Sequence, residues 1–374
     1  MKRIWTRWLP AAAVPAVAAV AVLAGGASAV TPPAPSNPEQ VLALVAGHTA
    51  RQFSGTVEEK ADLGLPSIPS QALGPASNSS SLGSAATILE LLTTSHTARV
   101  YADGPTKLRV QVMDQLAERD AVRNGRDAWT YDSKTNTATH VVLPSGESET
   151  KGSAPGTSAP TGAPSVAALT PDQLAQRFLA AAGPSTNVTL GPATTVADHA
   201  AYTLVLTPKT SGTLVASVQI SVESQTGLPL SVDVYAKGQS DPAFHTAFQK
   251  LDLHAPDASV FAFTPPSGAT IKQEQLPAPK AGSGSAAKPT ASPKPTEHAR
   301  SGLTAAKSWD SVVVIPANKV PPGFTDSAIV KQLASPVADG RLLSSSLVNI
   351  LITNDGRVIA GAVPAATLMA AAAK

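Results

Sequence analysis

The stretch LVASVQISVESQTGLPLSVDVYAK, residues 214–237, decides the fold class of this chain. Its first half places an apolar residue at every second position from Leu214 to Val222, with Ser, Gln and Glu opposing them. Its second half resumes the alternation from Leu228 to Ala236 after a Gln-Thr-Gly turn. A period of two is typical of β-strands. The stretch therefore predicts two antiparallel strands whose apolar side chains share one face of a sheet.

Other segments extend this sheet on both sides. Tyr202, Leu204 and Leu206 show the same alternation just before the deciding stretch. Turns rich in Gly, Asn and Asp join further strand-like runs, at residues 53–57, 97–102, 107–113, 118–124, 128–132 and 137–143. About ten or eleven strands exceed what a flat sheet keeps. The sequence thus predicts an α+β fold in which a curved antiparallel half-barrel has a hydrophobic concave face.

Three amphipathic segments are available to cover that face as a helical lid. Ser36 begins a capping box ahead of an apolar stripe in residues 41–45. Thr170 and Pro171 provide an N-cap and a first helical position for a second helix. An aliphatic run at residues 84–93 predicts a short helix or flap. Together they leave either a fully packed core or a lined cavity for an acyl chain.

The N-terminus has the pattern of a secretory signal peptide. Three basic residues precede an apolar run at residues 11–23, and small residues occupy positions 27–29. We expect cleavage after Ala29. The alternative is an uncleaved membrane anchor, because residues 9–30 are nearly long enough to span a bilayer. Either reading exports the body of the protein, to a periplasm, a cell-wall space or the medium.

The chain divides into a large domain and a small C-terminal unit. We expect the half-barrel domain at residues 30–272, with Ser/Gly/Pro-rich insertions at 63–83 and 145–165 that need not be ordered. A linker rich in Pro, Ala, Lys and Ser follows at residues 273–302. Residues 303–374 then predict an α+β unit, with a strand at 311–315, a helix at 326–333, a hairpin formed by 347–353 and 358–363, and an Ala-rich helix at 364–373.

Composition excludes several classes of function. Cysteine is absent, which removes disulfides, thiolate nucleophiles, thiolate metal sites and the lipid-modified cysteine of a bacterial lipoprotein. Three of the 28 Lys and Arg residues lie in the leader, so 25 basic residues accompany 26 acidic ones in the rest of the chain. That balance gives nucleic-acid binding no electrostatic support.

Catalytic and cofactor motifs are also missing. The sequence has no Gly-x-Ser-x-Gly elbow, no phosphate-binding loop and no His-Glu-x-x-His pair. Its seven His residues stand apart without metal-ligand spacing. Glu58, Glu59 and Asp233 are the carboxylates that could form an acid pair, and we expect them on the solvent face of their strands. The sequence therefore predicts a protein that is not an enzyme and carries no metal or cofactor.

Several motifs, taken in order, resemble a known superfamily. They are the first helix running into a strand, GRDAWTYD at residues 125–132, a later capped helix, TGLPL at 226–230 and FAFTPPSG at 261–268. This order resembles the LolA-like proteins, which comprise outer-membrane lipoprotein carriers, periplasmic regulators of envelope-stress sigma factors and lipid-binding lipoproteins. The resemblance covers roughly residues 36–271. It implies an eleven-stranded half-barrel with a helical lid over an acyl-chain cavity, without catalysis.

The leading hypothesis is an exported carrier or chaperone in the cell envelope that binds a lipid or lipoprotein acyl chain. The alternative is an extracytoplasmic sensor or regulator that binds a membrane protein through its C-terminal unit. Each residue proposed to contact the acyl chain is equally explained as ordinary core. These residues are Leu42, Phe53, Val57, Ile88, Leu91, Leu92, Leu108, Val110, Trp129, Phe178, Leu204, Val218, Ile220, Leu230 and Val232.

Overall fold

The computed structural model describes residues 35–65, 95–113, 117–143, 170–181, 183–275, 308–320, 325 and 328–373. These residues belong to one compact unit that runs from Pro35 to Lys374. The predicted leader, the flap at residues 84–93, the insertion at 145–165 and nearly all of the linker lie outside the described residues, as does most of the insertion at 63–83.

A thirteen-stranded sheet forms the body of the protein. Its strands run in the order β13-β6-β5-β4-β3-β2-β1-β12-β11-β10-β9-β7, and β8 pairs with β9. Neighbouring strands are antiparallel except for β13, which runs parallel to β6. The strands are β1 Gln52–Ala61, β2 His96–Asp103, β3 Lys107–Met113, β4 Glu118–Asn124, β5 Asp127–Asp132, β6 Thr137–Val142, β7 Thr186–Leu190, β8 Thr194–Val196, β9 His199–Pro208, β10 Val215–Glu223, β11 Pro229–Ala236, β12 Pro242–Asp252 and β13 Thr270–Gln275.

The predicted open, curved half-barrel is thus confirmed. It contains thirteen strands where the sequence indicated about ten or eleven. Strand β12 was not predicted individually, yet it joins the two halves of the sheet by pairing with both β1 and β11.

Two helices pack on one face of this sheet. Helix α1 spans Pro38–Ala46 and makes its main contacts with β7 and β9. Helix α2 spans Pro171–Ala181 and lies mainly over β11 and β12. The side chain of Thr170 accepts a hydrogen bond from the Gln173 N–H, as the N-cap pattern predicts. The predicted capping box at Ser36 is shifted by one residue, because Asn37 is the N-cap and accepts from the Gln40 N–H.

Irregular strand pairing changes the alternation that was predicted at the start of residues 214–237. A register shift between Val215 and Ser217 interrupts the pairing of β10 with β11. Because a bulge changes which side chains share a face, Val215 enters the core, whereas Leu214 and Ala216 stay half-buried. Val218, Ile220 and Val222 keep the predicted alternation and are fully buried.

A second, five-stranded sheet forms the C-terminal unit, in the order β14-β18-β17-β16-β15. Its strands and helices are β14 Val312–Ile315, α3 Ala328–Leu333, β15 Ser335–Val337, β16 Gly340–Ser344, β17 Asn349–Thr353, β18 Val358–Gly361 and α4 Ala365–Ala372. Leu351, Ile359 and Leu368 are fully buried in its core. The fold class predicted for this unit is confirmed, although β15 and β16 were not predicted.

Candidate functional site

The face of the large sheet that carries the helices is mainly apolar on its central strands, and we call it the helix face. Direct cross-strand partners point to the same side of a sheet. Leu204 pairs with Ile220, and Ile220 pairs with Val232, so these three core residues share the helix face. The same register places Val57, Ala98 and Val112 there, because Val57 pairs with Ala98 and Ala98 with Val112.

Side chains on the helix face form two apolar clusters. The helix-covered cluster contains Val41 and Val45 of α1 and Leu174 of α2, packed on residues of β9, β10 and β11. The β1–β3 cluster contains Val57, Ala98, Val100, Val110, Val112, Leu230 and Phe248. Phe53, Leu108 and Leu251 pack against the β1–β3 cluster and are only half-buried. This second cluster therefore has a partly exposed apolar rim and includes no residue of α1 or α2, whereas both helices contribute to the first cluster, which has half-buried residues of its own.

A tight aromatic contact fixes the centre of the β1–β3 cluster. The rings of Phe53 and Phe248 meet edge to face, with centroids 5.9 Å apart. Gly55 follows Phe53 by two residues on β1, and a Cβ built at Gly55 would stand 2.7 Å from the Phe248 ring. The absence of a side chain at position 55 is what lets the Phe248 ring approach β1 so closely.

Eleven of the fifteen predicted acyl-chain residues fall in these two clusters. The helix-covered cluster takes Leu42, Phe178, Leu204, Val218, Ile220 and Val232, and the β1–β3 cluster takes Phe53, Val57, Leu108, Val110 and Leu230. Ile88, Leu91 and Leu92 lie outside the described residues. Trp129 is the one described member that the structure does not bring to the others.

Trp129 lies on the opposite face of the sheet. It pairs with Val122, which pairs with Arg109, and Arg109 alternates with the helix-face residues Leu108 and Val110. Its indole stacks on the His140 ring, with ring centroids 4.3 Å apart, and lies at a tilt to the Phe263 ring, with centroids 5.5 Å apart. A shallow pocket of about 170 Å³ opens beside this aromatic group. The small residues Ala128 and Thr130 face the helix side of β5, so the bulky rings of this strand pack on the far side instead.

Three of the polar residues on the helix face stand side by side across β12, β1 and β2, among apolar neighbours, and sequence reasoning placed none of them there. Glu59 pairs with His96 on β2 and with Thr246 on β12, and Thr246 pairs in turn with Val232. Glu59, His96 and Thr246 are 4%, 5% and 0% exposed. The expectation that Glu59 faces solvent is therefore wrong. Burial raises the pKa of Glu59 to about 7, while the charge of His96 opposes the rise.

The other predicted carboxylates do face away from the core. Glu58 is paired with Lys60 at 2.9 Å on the surface of β1. Asp233 accepts from His245 Nδ1 at 2.5 Å across β11 and β12. Since Glu58 and Glu59 are neighbours on one strand, their side chains point to opposite faces. The two cannot form an acid pair.

The described residues contain no group of three His, Asp or Glu side chains arranged to hold a metal ion. Within the described ranges, no helix is both long and apolar enough to cross a bilayer. A second shallow pocket, of about 260 Å³, is lined mostly by polar groups such as Arg99, Tyr101 and Lys250.

Comparison with known proteins found no matching family model and no curated protein with a matching sequence. Among solved structures, the chain is similar to the Pseudomonas aeruginosa MucA/MucB complex, with 15% identity over 90% of this chain and 96% of that chain and a TM-score of 0.41. It is also similar to a LolA superfamily protein from Nitrosomonas europaea, with 12% identity over 61% of this chain and 99% of that chain and a TM-score of 0.23.

A third similar structure is a putative outer membrane lipoprotein-sorting protein domain from Vibrio parahaemolyticus. The identity is 8% over 60% of this chain and 95% of that chain, with a TM-score of 0.22. Of these three structures, the one from Nitrosomonas europaea is described as a member of the LolA superfamily.

Proposed function

We propose that this protein is an exported, non-enzymatic binding protein that holds the acyl chain of a lipid or lipoprotein against its helix face, as a carrier or chaperone. The observation that carries the proposal is the partly exposed apolar rim of the β1–β3 cluster, formed by Phe53, Leu108 and Leu251. Among the described residues, the main contacts of α1 and α2 are with β7, β9, β11 and β12, and include neither β1, which carries Phe53, nor β3, which carries Leu108. The rim is therefore the part of the helix face that a guest can reach.

The two clusters have different roles in this proposal. Side chains of the helix-covered cluster, such as Leu204 and Ile220, are fully buried under helices of the protein itself and hold the fold together. Side chains of the β1–β3 cluster would contact the guest. Each buried methylene of an acyl chain contributes about 0.8 kcal/mol, so binding requires no charged partner. Trp129, on the opposite face, has no part in it.

Native mass spectrometry of the purified protein tests the proposal. We expect co-purifying lipid, or uptake of an added acyl chain. Phe53→Asp should abolish uptake, because a carboxylate at the rim would have to be desolvated by the guest. Ile271→Asp is the matched control, since Ile271 is also apolar but is 57% exposed on the edge strand β13. A wild-type protein that stays free of lipid and takes up no acyl chain contradicts the proposal.

The signal-peptide pattern of residues 1–29 supports export and transport in the cell envelope. We also propose the division drawn from the sequence, with the binding domain at residues 30–272, a linker at 273–302 and a C-terminal unit at 303–374. Edman sequencing of the exported protein should give a new N-terminus at Val30. A protein that retains Met1 and partitions with membranes would favour the uncleaved anchor.

A second candidate function is regulation of a membrane protein through the C-terminal unit. The observation that favours it is the exposure of two large apolar side chains in that unit, Val314 at 46% and Val348 at 40%. In this case Val314→Asp should abolish capture of the partner while lipid uptake continues. A carrier should lose nothing with the same substitution.

A further inference from the structure

A row of three buried polar side chains crosses the helix face of β12, β1 and β2. Thr246, Glu59 and His96 are direct cross-strand partners, so they lie side by side on one face. Each is at most 5% exposed. Buried polar groups are costly unless they are hydrogen-bonded, so a row of them on an apolar face needs a reason.

The row forms one end of the β1–β3 cluster. Val57 lies two residues before Glu59 on the same face of β1, and Ala98 lies two residues after His96 on β2. Phe53, at the exposed rim, is six residues from Glu59 along the same strand. At about 3.3 Å per residue, β1 thus offers an apolar path of roughly 20 Å that ends at a polar group.

One member of the row lacks a partner. The Thr246 hydroxyl is buried and has no hydrogen-bond partner among the described residues. Such a hydroxyl destabilises the protein until something accepts its proton or donates to it. A guest that places an oxygen acceptor beside Thr246 would supply that bond.

We infer that Glu59, His96 and Thr246 form a head-group subsite, and that the guest is a long-chain carboxylic acid whose tail lies along β1 toward Phe53. This inference rests on the proposed function and adds the chemical class of the guest. An apolar path closed by hydrogen-bond donors fits a molecule with one long tail and one small acidic head.

The charges around Glu59 determine how the head group binds. His96 is the titratable group that faces Glu59 from β2, and β12 presents the uncharged Thr246. The guest carboxylate accepts from the Thr246 hydroxyl and from the protonated Glu59 carboxyl. Two carboxyl groups in contact share one proton, because both cannot ionise together at short distance. Since Glu59 has a pKa of about 7, it holds that proton at neutral pH and below.

Titration calorimetry of the full chain with hexadecanoic acid and with methyl hexadecanoate tests the subsite. Above pH 7 the acid can bind only with uptake of a proton, so its affinity should be about tenfold lower at pH 8 than at pH 6. The methyl ester is uncharged and accepts a weaker hydrogen bond than a carboxylate, so it should bind more weakly than the acid at pH 6 and depend less on pH. An ester that binds as tightly as the acid at pH 6 overturns the subsite.

Two substitutions separate the roles of the row. Thr246→Val keeps the shape but removes the hydroxyl, and it should weaken acid binding about fivefold, the value of one hydrogen bond. Thr203→Val is the matched control, because Thr203 is also buried but lies on the opposite face of β9. Glu59→Gln keeps a donor that cannot titrate, so the tenfold difference between pH 6 and pH 8 should largely disappear.

The outcomes distinguish the two levels of the inference. If acid and ester both fail to bind the wild-type protein, the proposed function itself is wrong. If both bind and neither Thr246→Val nor Glu59→Gln changes the affinity or its pH dependence, the acyl-chain groove stands and the carboxylic-acid subsite is wrong.

Discussion

Gly55 is the single residue on which the packing of the β1–β3 cluster depends most directly. A Cβ at this position would lie 2.7 Å from both the Lys250 carbonyl oxygen and the Phe248 ring. Backbone cannot yield as a flexible side chain does, so Gly55→Ala forces β1 and β12 apart. We expect a loss of about 1–3 kcal/mol in the free energy of unfolding, the usual cost of overpacking. Urea denaturation measures it.

Ser54→Ala is the control for this prediction. Ser54 is the neighbour of Gly55 on β1, but its side chain points to the opposite face, where the structure is open enough for a shallow pocket. It should unfold at nearly the wild-type urea concentration. Equal stability of Gly55→Ala and Ser54→Ala would show that Phe248 has room to move.

Glu59 should make the stability of the protein depend on pH. Burial raises its pKa from 4.5 to about 7 in the folded state. Below pH 4.5 the carboxyl is protonated in both the folded and the unfolded chain, so Glu59 does not change the free energy of unfolding with pH there. As the pH rises toward 7, the unfolded chain ionises first and the folded state loses stability, by about 3 kcal/mol in all.

Glu59→Gln removes this titration. Relative to wild type, the variant should gain stability between pH 4.5 and pH 7 and keep that gain at higher pH. Chemical denaturation at pH 4, 6 and 8 provides the comparison. A difference between wild type and variant that is the same at all three pH values would mean that Glu59 is ionised to the same degree in both states.

The sequence was sufficient to predict which face of the sheet Glu59 lies on, but not that its side chain is buried there. Phe53 and Val57 were both predicted to face the core, and strand alternation then puts Glu59 on the same side. Adjacent carboxylates on a strand cannot both face solvent, so either Glu58 or Glu59 had to point inward. What the sequence could not show is that β12, which supplies Thr246, pairs with β1 at this point.

At the scale of elements, a buried ion pair fastens the turn at Ala258–Phe261 to the sheet. Arg109 on β3 donates to both carboxylate oxygens of Asp120 on β4, at 2.6 and 3.1 Å, and to the Val260 carbonyl at 2.8 Å. The Asp120 side chain is only 3% exposed. Burial raises the pKa of Asp120, and the hydrogen bonds from Arg109 oppose that rise.

Arg109→Met should therefore destabilise the protein by about 3–5 kcal/mol, because it leaves Asp120 buried without its partner. Adding Asp120→Leu removes the uncompensated carboxylate, and the double variant should recover much of the loss. Thermal unfolding of both single variants and the double variant gives the coupling. Strict additivity of the two losses would contradict a buried ion pair.

The sequence predicts strands in which apolar and polar residues alternate, and it misses strands without that alternation. Residues 107–113 and 118–124 were predicted with the boundaries that the structure shows. Strand β12 buries Phe248 on one face and Ala247 on the other, so its apolar residues do not alternate. Strand β13 reaches the sheet by parallel pairing with β6. Such long-range pairing leaves no local signal in a short polar segment.

At the scale of the whole molecule, the C-terminal unit packs on the same core that holds α1 and α2. Trp309 and Leu347 join the helix-covered cluster, and Leu347 also packs against a small cluster of Leu63, Ala236 and Ala243. The Leu214 N–H donates to the Ala362 carbonyl at 2.7 Å, which links the two sheets through the backbone. The sequence predicted the elements of this unit other than β15 and β16, but not its place, because no local pattern encodes a contact between distant segments.

This packing predicts that the two sheets unfold together. The Trp309 indole stacks on Phe178 of α2 with ring centroids 6.2 Å apart, and its Nε1 donates to Thr186 Oγ1 at 2.7 Å. Trp309→Ala removes both contacts. Because Trp309 is only half-buried, we expect a loss of about 2 kcal/mol, below the 3–5 kcal/mol of a fully buried Trp.

Calorimetry distinguishes joint from separate unfolding. Wild type should show one transition. Trp309→Ala should show two, because it removes the aromatic contact between the sheets and leaves the hydrogen bond between Leu214 and Ala362 to couple them. Trp129→Ala is the control, because Trp129 packs on His140 and Phe263, far along the sheet order from α2. Trp129→Ala should lower the transition temperature without dividing the transition.

Two transitions in wild type would mean that the C-terminal unit is held only by its chain connection. That result would favour its role as an independent partner-binding module.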